Sequence, residues 1–134
     1  MSEPVPVDFQ GLADFFRADA NVILAVVFGS SRSGVVQSGS DLDIGVLFRE
    51  SPPAGSAFLD YYTRLCDVLP GVETVDLVTL NHANTILAFE ALKGRVLQKN
   101  DAAAAAEFFS LVCREYEDVM GHLAHQRRLR KAVA

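Results

Sequence analysis

The spacing of apolar residues changes along the chain, and each change marks the border of a predicted element. Within residues 7–18, Phe9, Leu12, Phe15 and Phe16 recur at helical spacing, which predicts a helix. The run from Val22 to Phe28 is continuous, seven residues long and rich in β-branched side chains, which predicts a buried strand. A helix, a turn and a strand are therefore expected in this order.

The same periodicities predict three further strands and three further helices. The strands are expected at residues 41–48, 74–80 and 95–99, and the helices at 56–69, at 81–93 and from 101 onward. Asn81 is expected to cap the helix 81–93, and Gly94 to follow its end. Residues 29–34 are expected to form one tight helical turn, followed by a loop through residue 40. Strands alternating with helices predict an α/β fold.

The predicted C-terminal helix carries one apolar stripe. Its members are spaced three and four residues apart: Phe109, Val112, Tyr116, Val119 and Leu123. An apolar stripe of this length must be covered. One interpretation is that these residues dock on the sheet of their own domain while the last turns of the helix project beyond the core. The alternative is a seam for a partner helix.

The length and composition indicate one globular domain. The chain has 134 residues, of which 50% are hydrophobic and 22% charged, as in ordinary globular proteins. We expect a single domain over residues 1–134, with its core at about 7–99 and its C-terminal helix at about 101–131. The formal net charge of −5 gives no general attraction for phosphate backbones, so direct nucleic-acid binding is not expected.

Cysteine usage and the apolar runs bear on the cellular location. Cys66 and Cys113 each lie inside an apolar helical pattern, which predicts buried thiols rather than a disulfide framework. The first residues lack the basic and apolar segments of a signal peptide. The longest apolar run is far shorter than the roughly 20 residues that span a bilayer. We expect a cytoplasmic protein that does not associate with membranes.

Asp41 and Asp43 are candidate metal ligands. They lie two residues apart in a predicted strand, so both carboxylates face one side of the sheet. Two like charges on one face raise the pKa of at least one carboxyl group, and burying an ionised carboxylate is costly. A divalent cation removes this conflict, and Mg²⁺ favours one or two carboxylates together with waters and phosphates. The pair therefore predicts a Mg²⁺ site.

Gly29 and Ser30 lie upstream, where the buried strand ends and the helical turn is expected to begin. Free backbone N–H groups at such a point attract phosphate. The segment is not a P-loop, because Val35 and Val36 stand where Lys and Ser or Thr would be required. A G-x-S-x-G nucleophile elbow is also absent from the sequence.

The spacing of these residues resembles the active-site pattern of the polymerase-β-like nucleotidyltransferases. Gly29-Ser30 is followed by ten residues and then by Asp41-x-Asp43, and a later aspartate, Asp76, lies in a predicted strand. The likeness spans roughly residues 22–99, and the size resembles that of the minimal nucleotidyltransferases, the MNT antitoxins paired with HEPN toxins. It implies a small mixed sheet of about four strands flanked by helices, with a long C-terminal helix.

The resemblance also implies a role for each residue of the motif. Gly29 and Ser30 would hold the triphosphate of ATP, and Asp41 and Asp43 would bridge two Mg²⁺ ions and so contact the nucleotide. Asp76 would bind the catalytic ion and help deprotonate the attacking hydroxyl. The three aspartates are thus the expected catalytic residues and metal ligands. For Asp76 the alternative is a solvent-facing residue of an edge strand.

The implied function is the transfer of AMP from ATP to a hydroxyl group. The expected acceptor is a tyrosine of a cognate HEPN ribonuclease toxin, which the transfer would silence and with which the chain would form a complex. Two alternatives stay open, an adenylyltransferase acting on a small molecule and a noncatalytic antitoxin that neutralises by binding. Ser31 and Gln98 depart from the family pattern, in which arginine and an aromatic residue are frequent.

Basic residues and histidines are concentrated near the end of the sequence. Residues 125–131 carry three arginines and one lysine. These are interpreted either as solvated cations at a helix C-terminus or as a docking patch for an acidic surface or RNA. His122 and His125 lack the context of a zinc site and are expected to be solvated.

Overall fold

The computed structural model describes residues 5–29, 34–36 and 41–133. Its centre is a four-stranded sheet made of β2 (Val22–Phe28), β4 (Leu42–Phe48), β5 (Val75–Thr79) and β6 (Arg95–Lys99). The strands lie in the order β5-β4-β2-β6. β4 and β5 are parallel, whereas β2 is antiparallel to both of its neighbours, so the sheet is mixed as expected.

Over the residues that the structure describes, four helices accompany the sheet. They are α1 (Phe9–Arg17), α2 (Ser56–Asp67), α3 (Thr85–Leu92) and α4 (Ala102–Val133), and a 3₁₀ turn (Leu80–His82) joins β5 to the segment before α3. α1 is capped at its N-terminus by Asp8, whose carboxylate accepts a hydrogen bond from the backbone N–H of Gly11. The predicted α/β fold with a long C-terminal helix is confirmed.

The two faces of the sheet carry separate apolar clusters. On one face, Leu12 and Phe16 of α1 and Leu65 of α2 pack against the sheet. On the other face, Ala91 of α3 and Ala105 of α4 do so. All seven residues of β2 are buried, because the strand is central and covered on both faces, as its continuous apolar run predicts.

A second, two-stranded sheet was not predicted. β1 (Val5–Pro6) pairs antiparallel with β3 (Val35–Val36), and the N–H of Val7 donates to the carbonyl of Gly34 at 2.8 Å. Two-residue strands are too short to carry a periodicity, so the sequence offers no signal for them.

The expected helix cap at Asn81 is wrong. α3 begins at Thr85 and is capped by Asn84, whose side chain accepts a hydrogen bond from the N–H of Leu87 at 2.8 Å. Asn81 instead accepts from the N–H of Phe48 at 2.9 Å and donates to its carbonyl at 2.8 Å. Its side-chain amide thus bonds to both backbone groups of Phe48, the last residue of β4, as a residue of a neighbouring strand would. Gly94 follows the end of α3 as predicted.

The predicted apolar stripe of α4 is partly wrong. Val112 is buried, Tyr116 and Val119 are half-buried, but Phe109 and Leu123 are 50% and 45% exposed. Phe108 packs on the core in place of Phe109, because the helix presents positions 104, 105 and 108 to the apolar cluster on its face of the sheet. Residues 121–132 are all exposed, so the last turns project beyond the core as expected.

The cysteines and the membrane prediction can also be compared with the structure. Cys66 and Cys113 are free thiols, and both are half-buried rather than buried. Within the described ranges, no helix has the length and hydrophobicity needed to cross a membrane. His122 and His125 are exposed, as predicted.

Candidate functional site

The candidate site lies where the end of β2 meets the beginnings of β4 and β5. Phe28 of β2 pairs with Asp43 of β4, and Asp43 pairs in parallel register with Asp76 of β5. Register partners on neighbouring strands point to the same face of a sheet. The fold therefore brings together two aspartates that lie 33 positions apart in the sequence.

Asp43 is the central carboxylate of this cluster. It is half-buried, because the face that carries it is covered one pleat further along β4, where Leu80 packs over Gly45. The pKa of Asp43 is raised above its usual value by burial first, and then by the negative charges of Asp76 and Asp41. The like-charge conflict inferred from the sequence is therefore present, and Asp76 contributes more to it than Asp41.

Asp41 and Asp76 are the more accessible members of the cluster. Asp41 is exposed and lies just before β4. The strand was predicted to begin at Asp41 but begins at Leu42. Asp76 is also exposed, and its strand is an edge of the four-stranded sheet. This location fits both interpretations of Asp76, a solvent-facing residue and a carboxylate open to a ligand.

Gly29 closes the site on the side of β2. Its φ angle is +70°, in the region that favours glycine. A Cβ atom at this position would lie 2.5 Å from Oδ2 of Asp43. The glycine therefore leaves room for the carboxylate and allows the backbone to turn directly beside it. Ser30, the other predicted phosphate-binding residue, lies outside the described residues, as do residues 31–33 and 37–40 of the predicted turn and loop.

The fit to a metal ion can be judged from the donors. In the described part of the chain, no group of three or more His, Cys, Asp or Glu side chains is arranged to hold a metal ion. Mg²⁺ is commonly held by only one or two carboxylates, with waters and substrate phosphates completing its shell. Asp43 and Asp76 are hard oxygen donors side by side, and their mutual repulsion is what a dication would relieve. The residues present therefore fit Mg²⁺.

Tyr62 is a residue of the site that sequence reasoning missed. Its hydroxyl donates to the carbonyl of Val75 at 3.0 Å and accepts from the N–H of Val75 at 3.4 Å. In a parallel pair, alternate residues turn their backbone groups away from the neighbouring strand. The carbonyl of Thr74 accepts a hydrogen bond from the N–H of Leu42 in β4. The backbone groups of Val75 therefore face the open edge, where the hydroxyl of Tyr62 bonds to them. No sequence signal indicates this contact between a helix and the residue before Asp76.

Comparison with known proteins gives one family. The model described as "Polymerase beta, Nucleotidyltransferase" matches residues 10–103. This range begins in α1, contains every strand of the four-stranded sheet and ends at the start of α4. None of the curated proteins matches the chain.

Several solved structures share the fold. A chain from a crystal structure of a toxin-antitoxin with AMP-PNP superposes with a TM-score of 0.72 at 22% identity, covering 96% of this chain and 100% of that chain. A second belongs to a structure of the tri-AMPylated Shewanella oneidensis HEPN toxin in complex with MNT antitoxin, with a TM-score of 0.66, 20% identity and coverage of 94% and 96%. A toxin-antitoxin MntA-HepT structure gives a TM-score of 0.65 at 20% identity, with coverage of 94% and 97%. At these identities the likeness shows the fold.

Proposed function

Because this chain belongs to the polymerase β nucleotidyltransferase family, we propose that it transfers AMP from ATP to a tyrosine hydroxyl of a HEPN toxin, in a reaction that requires Mg²⁺. The observation that carries the proposal is the parallel register of Asp43 and Asp76 beside the glycine that ends β2. A purely structural role would not favour two neighbouring carboxylates that raise the pKa of one of them.

The proposed reaction is an in-line displacement at the α-phosphorus of ATP. A bond forms between the acceptor oxygen and phosphorus, the bond to the β-phosphate oxygen breaks, and pyrophosphate leaves. Bound Mg²⁺ would neutralise the phosphate charge and stabilise the attacking and leaving oxygens. Asp41, Asp43 and Asp76 would hold the ions, and the exposed carboxylate of Asp76 would also receive the proton of the acceptor hydroxyl.

The residues at the end of β2 would orient the nucleotide. Gly29 brings the backbone beside Asp43 without a side chain between them, which allows phosphate oxygens to approach both groups. We assign Ser30 to triphosphate binding from the family motif. The protein would contribute mainly position and charge, as in other phosphoryl-transfer sites.

The acceptor and the nucleotide are proposed from the similar structures. One of them contains AMP-PNP, and another contains a HEPN toxin that carries AMP. ATP as donor and a HEPN toxin as acceptor and binding partner are therefore the substrates we propose for this chain.

The test uses ATP labelled at its α-phosphate, Mg²⁺ and the purified full-length chain. The acceptor is the helical protein encoded in the neighbouring reading frame, provided that it carries an arginine followed by a histidine four to six residues later. We expect label on a tyrosine of that protein, located by peptide mass spectrometry. Asp43→Asn and Asp76→Asn should each abolish the label.

Asp60→Asn is the matched control. Asp60 is an exposed aspartate of α2 that pairs with Arg64 at 3.2 Å and is not among the residues assigned to the site, so its replacement should leave the transfer intact. Label transfer that survives Asp43→Asn would contradict the assigned site. If the wild-type chain inhibits the toxin without labelling it, the proposal of catalysis fails and neutralisation by binding takes its place.

A further inference from the structure

One face of α4 is exposed along most of the helix. Leu111 and Leu129, which lie five turns apart, are 44% and 52% exposed. Four ionisable residues, all exposed, lie between them on the same side. We name the set the α4 seam, and its members are Leu111, Glu115, Asp118, His122, His125 and Leu129.

The α4 seam is a continuous line on the helix. With about 100° of rotation per residue, 18 residues make five full turns, so Leu111 and Leu129 point in the same direction. The other four members lie within about 40° of that direction. Their spacings of four and three residues alternate, as the facing positions of paired helices do, and four of the six are ionisable where a coiled coil has apolar residues.

This face is distinct from the one that α4 buries in its own domain. The buried Val112 is displaced by about 100° from Leu111. Tyr116, whose ring stacks on Phe89 at a centroid distance of 3.8 Å, is turned further away from the seam. The only seam contact with the body found among the described side-chain hydrogen bonds is that of Glu115, which accepts from Thr85 at 3.3 Å.

The seam is complementary to itself when reversed. If two copies of α4 run antiparallel about a two-fold axis near residue 120, Leu111 of one copy faces Leu129 of the other. In the same register Asp118 faces His122. Glu115 faces His125. An imidazole N–H donates to a carboxylate, so each of these two facing pairs has a donor and an acceptor. The two-fold axis produces each facing pair twice.

The distribution of charge selects this orientation. Residues 102–119 of α4 contain four acidic side chains and one arginine, whereas residues 120–133 contain three arginines, one lysine and no acid. A parallel pair would place like charges together, whereas an antiparallel pair places the acidic half of each helix beside the basic half of the other. The helix dipoles also oppose each other in the antiparallel arrangement.

We propose that the partner of the α4 seam is the α4 seam of a second copy of this chain, in a two-fold antiparallel pair. The exposed half of each helix, residues 121–132, then lies along residues 108–119 of the other copy. The two folded bodies sit at opposite ends of the pair, since each body covers only the first half of its own helix. The proposal does not depend on nucleotidyl transfer.

The test is sedimentation equilibrium of the full chain alone, with no nucleotide or toxin. Each copy contributes only two leucines, so we expect a weak dimer with a dissociation constant on the order of 10 μM. Over the concentration series the apparent mass should rise from 14.5 kDa towards twice that value. Leu111→Glu and Leu129→Lys should each weaken dimerisation about tenfold or more, because a charge then faces a leucine.

Combining Leu111→Glu with Leu129→Lys should restore the dimer, since the two introduced opposite charges then face each other across the axis. Leu123→Glu is the matched control, because Leu123 is 45% exposed on the same half of the helix but lies about 120° from the seam. It should dimerise like the wild type. Circular dichroism should show that all variants stay folded, since only exposed side chains change. A wild-type chain that is monomeric at about 100 μM, or single variants that dimerise like it, would overturn the proposal.

Discussion

The hydroxyl of Tyr62 is hydrogen bonded to both backbone groups of Val75, the residue immediately before Asp76. It thereby holds the free edge of β5 at the point where the strand brings Asp76 beside Asp43. The contact makes the geometry of the carboxylate cluster depend on a residue of α2.

Tyr62→Phe is therefore expected to reduce AMP transfer by about 10-fold, the range typical for residues that orient metal ligands. The free energy of unfolding should fall by about 1 kcal/mol, because Val75 loses a hydrogen-bond partner. Raising the Mg²⁺ concentration should recover part of the lost activity, which a purely structural defect would not show.

Tyr61→Phe is the control, because the buried hydroxyl of Tyr61 has no hydrogen-bond partner among the described residues. It should leave transfer unchanged and stability equal or higher. Equal activity of the Tyr62 variant and the wild type at limiting Mg²⁺ would show that Tyr62 does not position Asp76.

Gly29→Ala is expected to impair both stability and transfer. Alanine would have to adopt the left-handed backbone conformation of Gly29, and its methyl group would meet Oδ2 of Asp43. The cost to stability should be about 1–2 kcal/mol, and transfer should fall at least about tenfold as Asp43 is displaced. Gly55→Ala separates the two causes, because Gly55 has a φ of +58° with no atom within 4 Å of a Cβ. It should lose stability but keep its activity. Thermal denaturation measures the stability of each variant, and the labelling assay measures its transfer activity. Full activity of Gly29→Ala would show that a Cβ atom at this position does not displace Asp43.

Asp43→Asn should stabilise the metal-free chain at neutral pH while abolishing transfer. The pKa of Asp43 is raised in the fold, so its protonated form is favoured there and its ionised form opposes folding. The stabilising contribution of this carboxyl is complete below its usual pKa of 3.8 and is lost as the pH rises through the raised value. The gain from asparagine should therefore grow over that interval and stay constant above it. Urea denaturation across a pH series, in the presence of a chelator, tests this. A variant less stable than the wild type at pH 7 would instead indicate a structural role for the carboxylate.

Two truncations should differ sharply. At a chain concentration well below the dissociation constant of the proposed dimer, removing residues 127–134 should change the free energy of unfolding by less than about 0.5 kcal/mol, because residues 127–132 are all exposed in the single chain. Ending the chain at residue 107 should abolish cooperative unfolding, since it removes the buried Val112 and the stacking of Tyr116 on Phe89. Calorimetry distinguishes the two cases. A large loss of stability on removing residues 127–134 at that dilution would mean that the projecting turns pack against the body of their own chain.

The sequence predicts the elements best where a pattern of residues has only one physical explanation. The continuous apolar run at residues 22–28 could only be a covered strand, and the strand at residues 95–99 was placed correctly. The pairing of Asp43 with Asp76 could not be predicted from the residues alone, because register depends on strand order. Asn81 was misread because an asparagine before a helix and an asparagine that completes a strand look the same in sequence. Phe109 was misread because Phe108, one residue away, fits the helical period almost as well.

The position of β2 in the sheet determines when the fold can be completed during synthesis. β2 pairs on one side with β4, which leaves the ribosome soon afterwards, and on the other with β6, where Leu24 meets Lys99. Because that second partner is made about 75 residues later, the central strand must keep one edge of unpaired backbone N–H and C=O groups, flanked by apolar side chains, while more than half of the chain is being translated. The nascent chain is thus most prone to misassociation in this interval, and the emergence of β6 ends it.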